Sequence, residues 1–385
     1  MFTQPQTVLL ALLLAAPLYW LIPPTWPSVR KWLLIFISLS LIAFESTLAV
    51  GACVVVTLWT FLSANGISIA KGTKLGEKVW IKRILFWIAM GGLVTPLILL
   101  DIREEPLAIL GLSYIIIKSA SVIIDAGATG KSTNFGTVLI LNSFFPIFSA
   151  GPIEDQSTFD RTVFENRPTS DTFIFGVYRM LEGFILSFFV GQHILLAITD
   201  GYGDQAYINP DISGLSIVGL MLLKFTYVYV NFTGYTSFAI GLAAFFGIRI
   251  KENFRYPFLA RNPEEFWSRW HMSLGQFLSK YLYFRMLVLL KRPQISLFLA
   301  FVLVGLWHSI GLQYLLWGAG HGGYLIVFLI LKRRYAKSFA NLPRPARIAI
   351  GLGGWAFTML WVSFLSFMAN APSMEALGTI IMRVF

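Results

Sequence analysis

Long apolar stretches follow one another along this chain and constrain its fold more than any other feature. A helix needs about 20 mostly apolar residues to cross the hydrocarbon core of a membrane. Because lipid cannot hydrogen-bond an open backbone, we predict an all-α, polytopic membrane protein with about 10 or 11 crossings. The stretches that reach or approach this length are 7–22, 33–62, 80–100, 107–125, 135–150, 173–199, 213–232, 233–249, 296–309, 313–331 and 347–369.

Two further stretches refine this prediction. The run 33–62 is long enough for one tilted crossing or two short ones, and Glu45 interrupts it. The segment 281–290 is too short to cross alone, so we expect a re-entrant or interfacial helix there. No linker or soluble segment separates the stretches, which favours a single membrane domain over residues 1–385.

The composition excludes an ordinary soluble protein. Of the 385 residues, 56% are hydrophobic and 13% are charged, whereas about 25% are charged in a typical soluble domain. The single cysteine, Cys53, excludes an internal disulfide and lies in an apolar run, where we expect it to pack without reacting. The first apolar stretch has no basic residue before it and PPTWP after it, so we interpret it as a retained helix rather than a cleaved signal.

The net charge of +11 comes from basic clusters, which in membrane proteins mark the cytoplasmic side. Because a membrane location explains the basic clusters, they do not indicate nucleic-acid binding, and we expect no nucleic-acid partner. The loop 200–211 contains three aspartates and no basic residue, so we expect it outside. The clusters consist of Lys71, Lys74, Lys78, Lys82 and Arg83; of Lys280, Arg285, Lys291 and Arg292; and of Lys332, Arg333, Arg334 and Lys337.

Three of the four histidines, His271, His308 and His321, lie close together in the sequence among apolar and aromatic residues. Ionisable groups at membrane depth are costly, so each needs a partner or a function. Histidine also suits proton transfer near neutral pH. A histidine that merely bonds to a neighbouring helix is the competing interpretation, about as good for any one of them alone. For His193, in GQHILL, this structural interpretation is favoured.

Small residues surround two of these histidines. Glycines at this density allow backbones, or a thin acyl chain, to approach closely. The histidine spacing matches no metal motif and no cysteine joins the histidines, so we predict no metal site. The glycines are Gly305, Gly311, Gly318, Gly320, Gly322 and Gly323.

Two segments between the crossings also stand out. Residues 266–286, FWSRWHMSLGQFLSKYLYFRM, interleave aromatic and charged residues, which is typical of a helix at the water–membrane interface. The presence of His271 in this segment favours a functional role over that of an ordinary interfacial anchor. Residues 144–156 contain Pro146, Gly151 and Pro152, which break a helix; a funnel wall and a plain loop remain equally good interpretations.

In this order the segments resemble the membrane-bound O-acyltransferase family, in its bacterial glycan-modifying branch. The resemblance covers about residues 135–330, which we take as the catalytic core. The four matching pieces are FFPIFSAGPI at 144–153, NFTGYTSFAIGLAAFFGIRIKENFRYPF at 231–258, EFWSRWHMSLGQFLSKYLY at 265–283 and GLWHSIGLQYLLWGAGHG at 305–322.

The resemblance implies a helical bundle around a central funnel or tunnel, in a bacterial cytoplasmic membrane. By motif, His308 of GLWH is the catalytic residue, His271 of RWH is the second functional histidine, and His321 is the third, lining the tunnel or orienting His308. In this interpretation, His308 takes a proton from the acceptor hydroxyl while its oxygen attacks an acyl thioester. The residues that we expect to line the tunnel or contact substrate are Arg269, Trp270, Ser273 and Trp307.

The resemblance also implies reactants and partners. The donor is an acyl thioester, either on a phosphopantetheinyl carrier protein or on coenzyme A, and no cofactor is tightly bound. An acidic carrier would be attracted to the basic face, and an extracytoplasmic acyltransferase is a possible partner. The motifs RWHMSL and YLYFRM resemble those of the D-alanyl transfer proteins of the teichoic-acid Dlt system. Alginate O-acetylases are the other group with similar motifs. The candidate carrier-binding residues are Lys280, Arg285, Lys291 and Arg292.

Three functions therefore remain open. The first is transfer of a D-alanyl or acetyl group to an envelope glycan, lipid or other hydroxyl acceptor. The alternative within the same class is an O-acetyltransferase of exopolysaccharide or peptidoglycan that uses acetyl-CoA. A transporter or flippase, or a non-catalytic scaffold, is the alternative from another class, but no internal repeat supports transport.

Overall fold

The computed structural model describes residues 12, 15–73, 79–102, 111–166, 168–196, 212–371 and 373–384, and every regular element in these ranges is a helix. The predicted loop 200–211, Lys74 and Lys78 lie outside the described residues, as does most of the first half of stretch 7–22. The helices are α1 (Pro27–Glu45), α2 (Thr47–Lys71), α3 (Val79–Ile102), α4 (Leu112–Thr129), α5 (Phe135–Ser143), α6 (Ser170–Phe184), α7 (Gly214–Phe245), α8 (Pro263–Trp267), α9 (Met272–Phe277), α10 (Phe284–Leu290), α11 (Pro293–His308), α12 (Leu312–Ala340), α13 (Arg344–Ala369) and α14 (Met374–Val384).

Eight helices in the described ranges are long and apolar enough to cross a membrane. They are α1, α2, α3, α4, α6 with its π-helical continuation Ile185–Leu196, α7, α12 and α13. The prediction of an all-α, multi-pass membrane protein is confirmed. The sequence predicts 10 or 11 crossings over the whole chain, and one of these, stretch 7–22, lies largely outside the described residues. Within the described ranges, the structure differs from the predicted stretches in three places.

Stretch 135–150 does not form a spanning helix. Helix α5 ends at Ser143, and a single 3₁₀ turn, Phe145–Ile147, follows it. Pro146 explains this break, because its ring clashes with the preceding turn and it has no N–H to donate. The predicted helix break within 144–156 is confirmed, whereas a funnel wall there stays a prediction.

Stretches 213–232 and 233–249 form one helix, α7, instead of two crossings. No proline interrupts these 32 residues, so the backbone hydrogen bonds continue without a break. The stretch 296–309 falls within α11, whose 16 residues extend for only about 24 Å. That length is less than the roughly 30 Å of a hydrocarbon core. The stretch 33–62, by contrast, divides into α1 and α2 at Ser46, whose hydroxyl caps α2.

The described chain divides into two compact units. The first comprises residues 1–183 and 235–251, and the second comprises residues 184–234 and 252–385. The domain boundaries proposed from the sequence stay a prediction.

The first unit covers its irregular backbone with buried polar side chains. Glu154, only 2% exposed, accepts a hydrogen bond from the backbone N–H of Lys251 and another from Thr158. The Lys251 ammonium lies 3.1 Å from the same carboxylate. Non-helical backbone at membrane depth is tolerated where protein covers it, and these contacts cover the segment after Gly151. Cys53 is free and buried in this unit, as expected.

The second unit carries all three histidines singled out in the sequence. Its helices α11 and α12 pack with their backbones in contact, since a Cβ placed on Gly305 would lie 2.2 Å from the carbonyl oxygen of Tyr314. A Cβ on Gly318 would lie 2.5 Å from the carbonyl oxygen of Phe301. The predicted close approach at these two glycines is confirmed, and it fixes His308 and His321 on neighbouring helices.

Candidate active site

One cavity within the second unit brings together His271, His308 and His321. Its volume is about 250 Å³, and aromatic side chains form most of its wall. A cavity that is largely apolar, with a few convergent polar groups, is typical of a small-molecule site. We therefore take this cavity as the candidate active site.

His271 lies in a sharp turn that its neighbours hold in a strained conformation. Its φ of 42° and ψ of 54° are in the left-handed region, which non-glycine residues seldom adopt and which recurs at functional sites. The turn separates α8, which begins with a capping arrangement of Asn262 and Glu265, from α9. The turn directs the ring of His271 inward, 4.8 Å from the ring of Phe232.

Asn253 holds this turn from the preceding segment. Its backbone carbonyl accepts a hydrogen bond from the Met272 N–H at 2.9 Å. Its side-chain oxygen accepts two from Ser273, at 2.6 Å from the hydroxyl and 3.2 Å from the backbone N–H. Asn253 is fully buried, so these bonds form away from water and fix the position of His271.

His308 is the last residue of α11 and the most accessible of the three histidines. Its side chain is exposed, whereas His271 and His321 are 4% and 3% exposed. The rings of Trp307 and Trp317 lie 4.7 and 5.4 Å from its own. A reactant can therefore meet His308 directly while aromatic neighbours fix its ring.

His321 lies inside α12, where two indole rings enclose it. The ring centroids of Trp267 and Trp317 lie 5.0 and 4.6 Å from that of His321. Trp317 contacts both His308 and His321, and thus connects them. His271 and His308 line the same cavity.

Three buried nitrogens in the cavity wall have no hydrogen-bond partner within the described part of the chain. They are Nδ1 of His271, Nδ1 of His321 and Nε1 of Trp267. Because an unsatisfied buried polar group costs about 1–3 kcal/mol, such groups are rare unless something else binds them. Their convergence on one cavity indicates a site that receives polar groups of a reactant.

The other residues predicted to contact substrate have different positions. Trp270 lines the cavity and stacks on Phe225, with ring centroids 5.1 Å apart. Ser273 donates its hydroxyl to Asn253 and does not line the cavity. Trp307 and Arg269 are half-buried outside its wall. A substrate contact for these residues stays a prediction, and their observed contacts are with the protein itself.

The predicted carrier-binding residues lie on the surface at and after the π-helical segment Leu278–Tyr283. All four side chains are exposed. Lys280 donates a hydrogen bond to the Tyr281 hydroxyl at 2.7 Å, and Lys291 ends α10 with a φ of 51°. The positions of these four basic residues suit an electrostatic docking surface. Binding of a carrier protein there stays a prediction.

Sequence reasoning missed several residues of this site. Asn253 lies in the quoted segment KENFRYPF, but no pattern marks it as the support of His271. Trp267, Tyr314, Trp317 and Asn370 line the cavity through contacts that only the fold creates. Their signal in the sequence is weak, since aromatic residues are common throughout this chain.

Two negative expectations concern His193 and metals. Nδ1 of His193 lies 2.7 Å from the carbonyl oxygen of Phe188 in its own helical segment, whereas the structural interpretation expected a bond to a neighbouring helix; a purely structural role for His193 stays a prediction. Within the described ranges, no group of three His, Cys, Asp or Glu side chains could hold a metal ion. The absence of a metal site stays a prediction for the chain as a whole.

The chain belongs to the membrane-bound O-acyltransferase family, whose model matches residues 118–369. The matched range contains all three histidines of the cavity and the Asn253 turn. The family proposed from the RWHMSL and GLWH motifs is therefore confirmed.

The chain is also similar to proteins with established names. It is 28% identical over 256 residues to the teichoic acid D-alanyltransferase of Bacillus subtilis, covering 62% of each chain. It is 33% identical over 267 residues to the probable alginate O-acetylase AlgI of Pseudomonas fluorescens, covering 66% of this chain and 50% of that protein. It is 27% identical over 245 residues to the peptidoglycan O-acetyltransferase of Helicobacter pylori, covering 61% and 44%. The chain thus spans between about two fifths and just under two thirds of these relatives.

Proposed function

We propose that this chain is an O-acyltransferase that moves an acyl group from a thioester to a hydroxyl acceptor inside the membrane. The observation that carries the proposal is the cavity that contains the exposed His308 and the two buried histidines. Family membership supports the reaction class. The names of the relatives support D-alanyl and acetyl as the groups transferred.

His308 acts as the general base in this proposal. Its neutral imidazole accepts the proton of the acceptor hydroxyl as the oxygen attacks the thioester carbonyl carbon. The tetrahedral intermediate collapses, the carbon–sulfur bond breaks, and the proton on His308 passes to the departing sulfur. The products are an ester and a free thiol, so atoms and charges balance. Such a proton transfer is typically worth about 10²–10⁴-fold in rate.

Trp267 supplies a hydrogen-bond donor for the developing oxyanion. Its Nε1 is buried at the cavity wall and has no partner among the described residues. A fixed donor in a site without bulk water stabilises negative charge strongly, and one such donor is worth about 10²–10³-fold. Nδ1 of His271 and Nδ1 of His321 are further polar atoms of the cavity wall that can hold reactants.

The donor and acceptor follow from chemistry and from the relatives. A thioester is the donor class whose sulfur can leave without metal assistance, and either a carrier protein or coenzyme A provides one. A teichoic acid D-alanyltransferase and two kinds of O-acetyl transferase are among the similar proteins. We therefore propose a hydroxyl of an envelope polymer as the acceptor, and the bacterial cytoplasmic membrane as the location.

An acidic carrier protein would dock on the basic surface formed by Lys280, Arg285, Lys291 and Arg292. All four side chains are exposed, and complementary charge accelerates and orients association. A separate extracytoplasmic acyltransferase is a further proposed partner.

A turnover assay separates this proposal from transport or a scaffold role. The purified full chain is incubated with a D-alanyl carrier thioester or with acetyl-CoA, and release of free thiol is measured with and without an alcohol acceptor. Acceptor-dependent thiol release supports acyl transfer. Absence of thiol release with both donors contradicts the proposal, and mass spectrometry of the acylated product identifies the group transferred.

A further inference from the structure

A second depression in the second unit lies between α12 and α13, on a different face of α12 from the histidines. Its volume is about 550 Å³, and its lining is almost entirely apolar. Gly320, Gly323, Val327 and Leu331 line it from α12, and Phe357 and Trp361 line it from α13. We call this depression the lipid groove.

The groove is open beside Gly323, where α12 carries no side chain. A Cβ on Gly323 would meet nothing within 4 Å. The two helices are nevertheless held together, since the Tyr324 hydroxyl lies 2.9 Å from that of Thr358. The tyrosine ring also contacts Phe357, with centroids 5.3 Å apart. The groove is thus a fixed surface between packed helices.

The length of the groove matches one leaflet of a bilayer. The lining residues of α12 run from Ala319 to Leu331, which corresponds to about 18 Å of helix. Half of a hydrocarbon core is about 15 Å. Both helices qualify as membrane-spanning, so a single acyl chain can occupy the groove along its length.

Positive charge is present at one end of the groove. Arg334 follows Leu331 by three residues, which places it on the same face one turn further along α12. The contact between Tyr324 and Phe357 sets the antiparallel register of α12 and α13. Arg334 and Arg347 each lie ten residues from this contact, one on each helix, so the antiparallel register places them about level with each other along the two helices. Both are exposed and neither forms an ion pair within the described ranges, whereas neighbouring Lys332 pairs with Glu264.

We propose that the lipid groove binds one anionic phospholipid, with an acyl chain along Gly323 and Phe357 and the phosphate between Arg334 and Arg347. Arginine is well suited to phosphate because its planar guanidinium donates two parallel hydrogen bonds. Exposed Tyr335 lies beside Arg334, where an aromatic ring marks the level of the headgroups. This binding does not depend on the proposed acyl transfer.

Native mass spectrometry of the purified full chain tests the proposal. The probes are dioleoylphosphatidylglycerol and dioleoylphosphatidylcholine, which have the same chains and differ in charge. The wild-type protein should retain one phosphatidylglycerol in preference to phosphatidylcholine. The double variant R334Q/R347Q should lose affinity for phosphatidylglycerol by at least about fivefold, since each basic residue near a lipid surface contributes measurably. Affinity for phosphatidylcholine should change little.

Arg333 provides a matched control because it has the same charge but lies about 100° around α12 from Arg334. R333Q should retain phosphatidylglycerol within about twofold of wild type. A loss in R333Q that equals the loss in R334Q alone would overturn the proposal, because it would indicate diffuse charge attraction instead of a site. Wild-type affinity in R334Q/R347Q would also overturn it, because these arginines would then contribute nothing to lipid binding.

A second variant tests the groove itself. Gly323→Leu fills the open space and should lower occupancy by both lipids, whereas Gly51→Leu, an exposed glycine of α2 with similar open space, should not. Wild-type binding of both lipids by Gly323→Leu would overturn the proposal. Gel filtration and the thermal midpoint identify any variant that fails to fold. If Gly323→Leu fails to fold, the variants of the exposed arginines test the proposal.

Discussion

The side-chain oxygen of Asn253 accepts two hydrogen bonds from Ser273, at 2.6 Å from its hydroxyl and 3.2 Å from its backbone N–H. This contact holds the turn in which His271 adopts left-handed backbone angles. Because such a conformation costs about 1–3 kcal/mol, the turn needs the support. The orientation of His271 toward the cavity therefore depends on a residue that does not line the cavity.

Replacement of Asn253 by alanine should weaken this support. The change removes both hydrogen bonds that the Asn253 side chain accepts from Ser273, and each such bond contributes about 0.5–1.5 kcal/mol to stability. We expect a lower thermal midpoint and a loss of acyl transfer of at least about tenfold. Ser268→Ala is the control, because that exposed hydroxyl donates to the backbone carbonyl of Glu265 in its own turn. Equal activity of Asn253→Ala and wild type would contradict the assigned role.

Trp267→Phe tests the proposed oxyanion donor. The substitution keeps an aromatic ring against His321 and removes the Nε1–H. We expect kcat to fall by about 10²–10³-fold, with a smaller change in KM because the apolar wall remains. Trp87→Phe, at a side chain that is 70% exposed in the first unit, serves as the control. A rise in KM with an unchanged kcat would show that Trp267 only helps to bind the substrate, and it would reject the donor role.

Gly305→Ala and Gly318→Ala test the close packing of α11 on α12. The added methyl groups would lie 2.2 and 2.5 Å from backbone oxygens, so the helices must separate. We expect a destabilisation of about 1–3 kcal/mol for each variant, measured as a lower thermal midpoint in detergent. Gly353→Ala has open space around its Cβ position and should leave the midpoint unchanged. Unchanged midpoints in all three variants would contradict the packing.

Charge reversal at Lys280, Arg285, Lys291 and Arg292 tests the docking surface. Replacing these residues by glutamate should slow association with an acidic carrier protein, most strongly at low salt, because screening weakens such attraction. Turnover with a small soluble thioester should be preserved. Reversal of Lys291 and Arg292 alone has a matched control in the same change at Arg333 and Lys337, which are also exposed. Equal slowing by these two pairs would show that only net charge matters.

The membrane class and the family could be predicted from the sequence because both depend on local patterns. Apolar length predicts a spanning helix, and RWHMSL and GLWH are contiguous motifs. The prediction failed where a helix boundary depended on context. A single proline ended α5 early, whereas nothing interrupted α7, so two expected crossings became one helix.

The candidate site was predictable only in part for a related reason. The histidines could be named from their surroundings, and the structure brings all three into one cavity. The support from Asn253 joins residues 20 positions apart, and Trp317 meets two histidines only because α11 and α12 pack closely. Such contacts arise from tertiary packing, which no local pattern encodes.

The most direct test of the central claim is the rate of acyl transfer by His308→Ala. The ring is exposed to the cavity, so its removal should leave the protein folded, inserted and unchanged in thermal midpoint. We predict that transfer from the thioester falls by about 10²–10⁴-fold, while His193→Ala, which removes a contact within its own helical segment, remains near wild type. Wild-type turnover by His308→Ala would contradict the account.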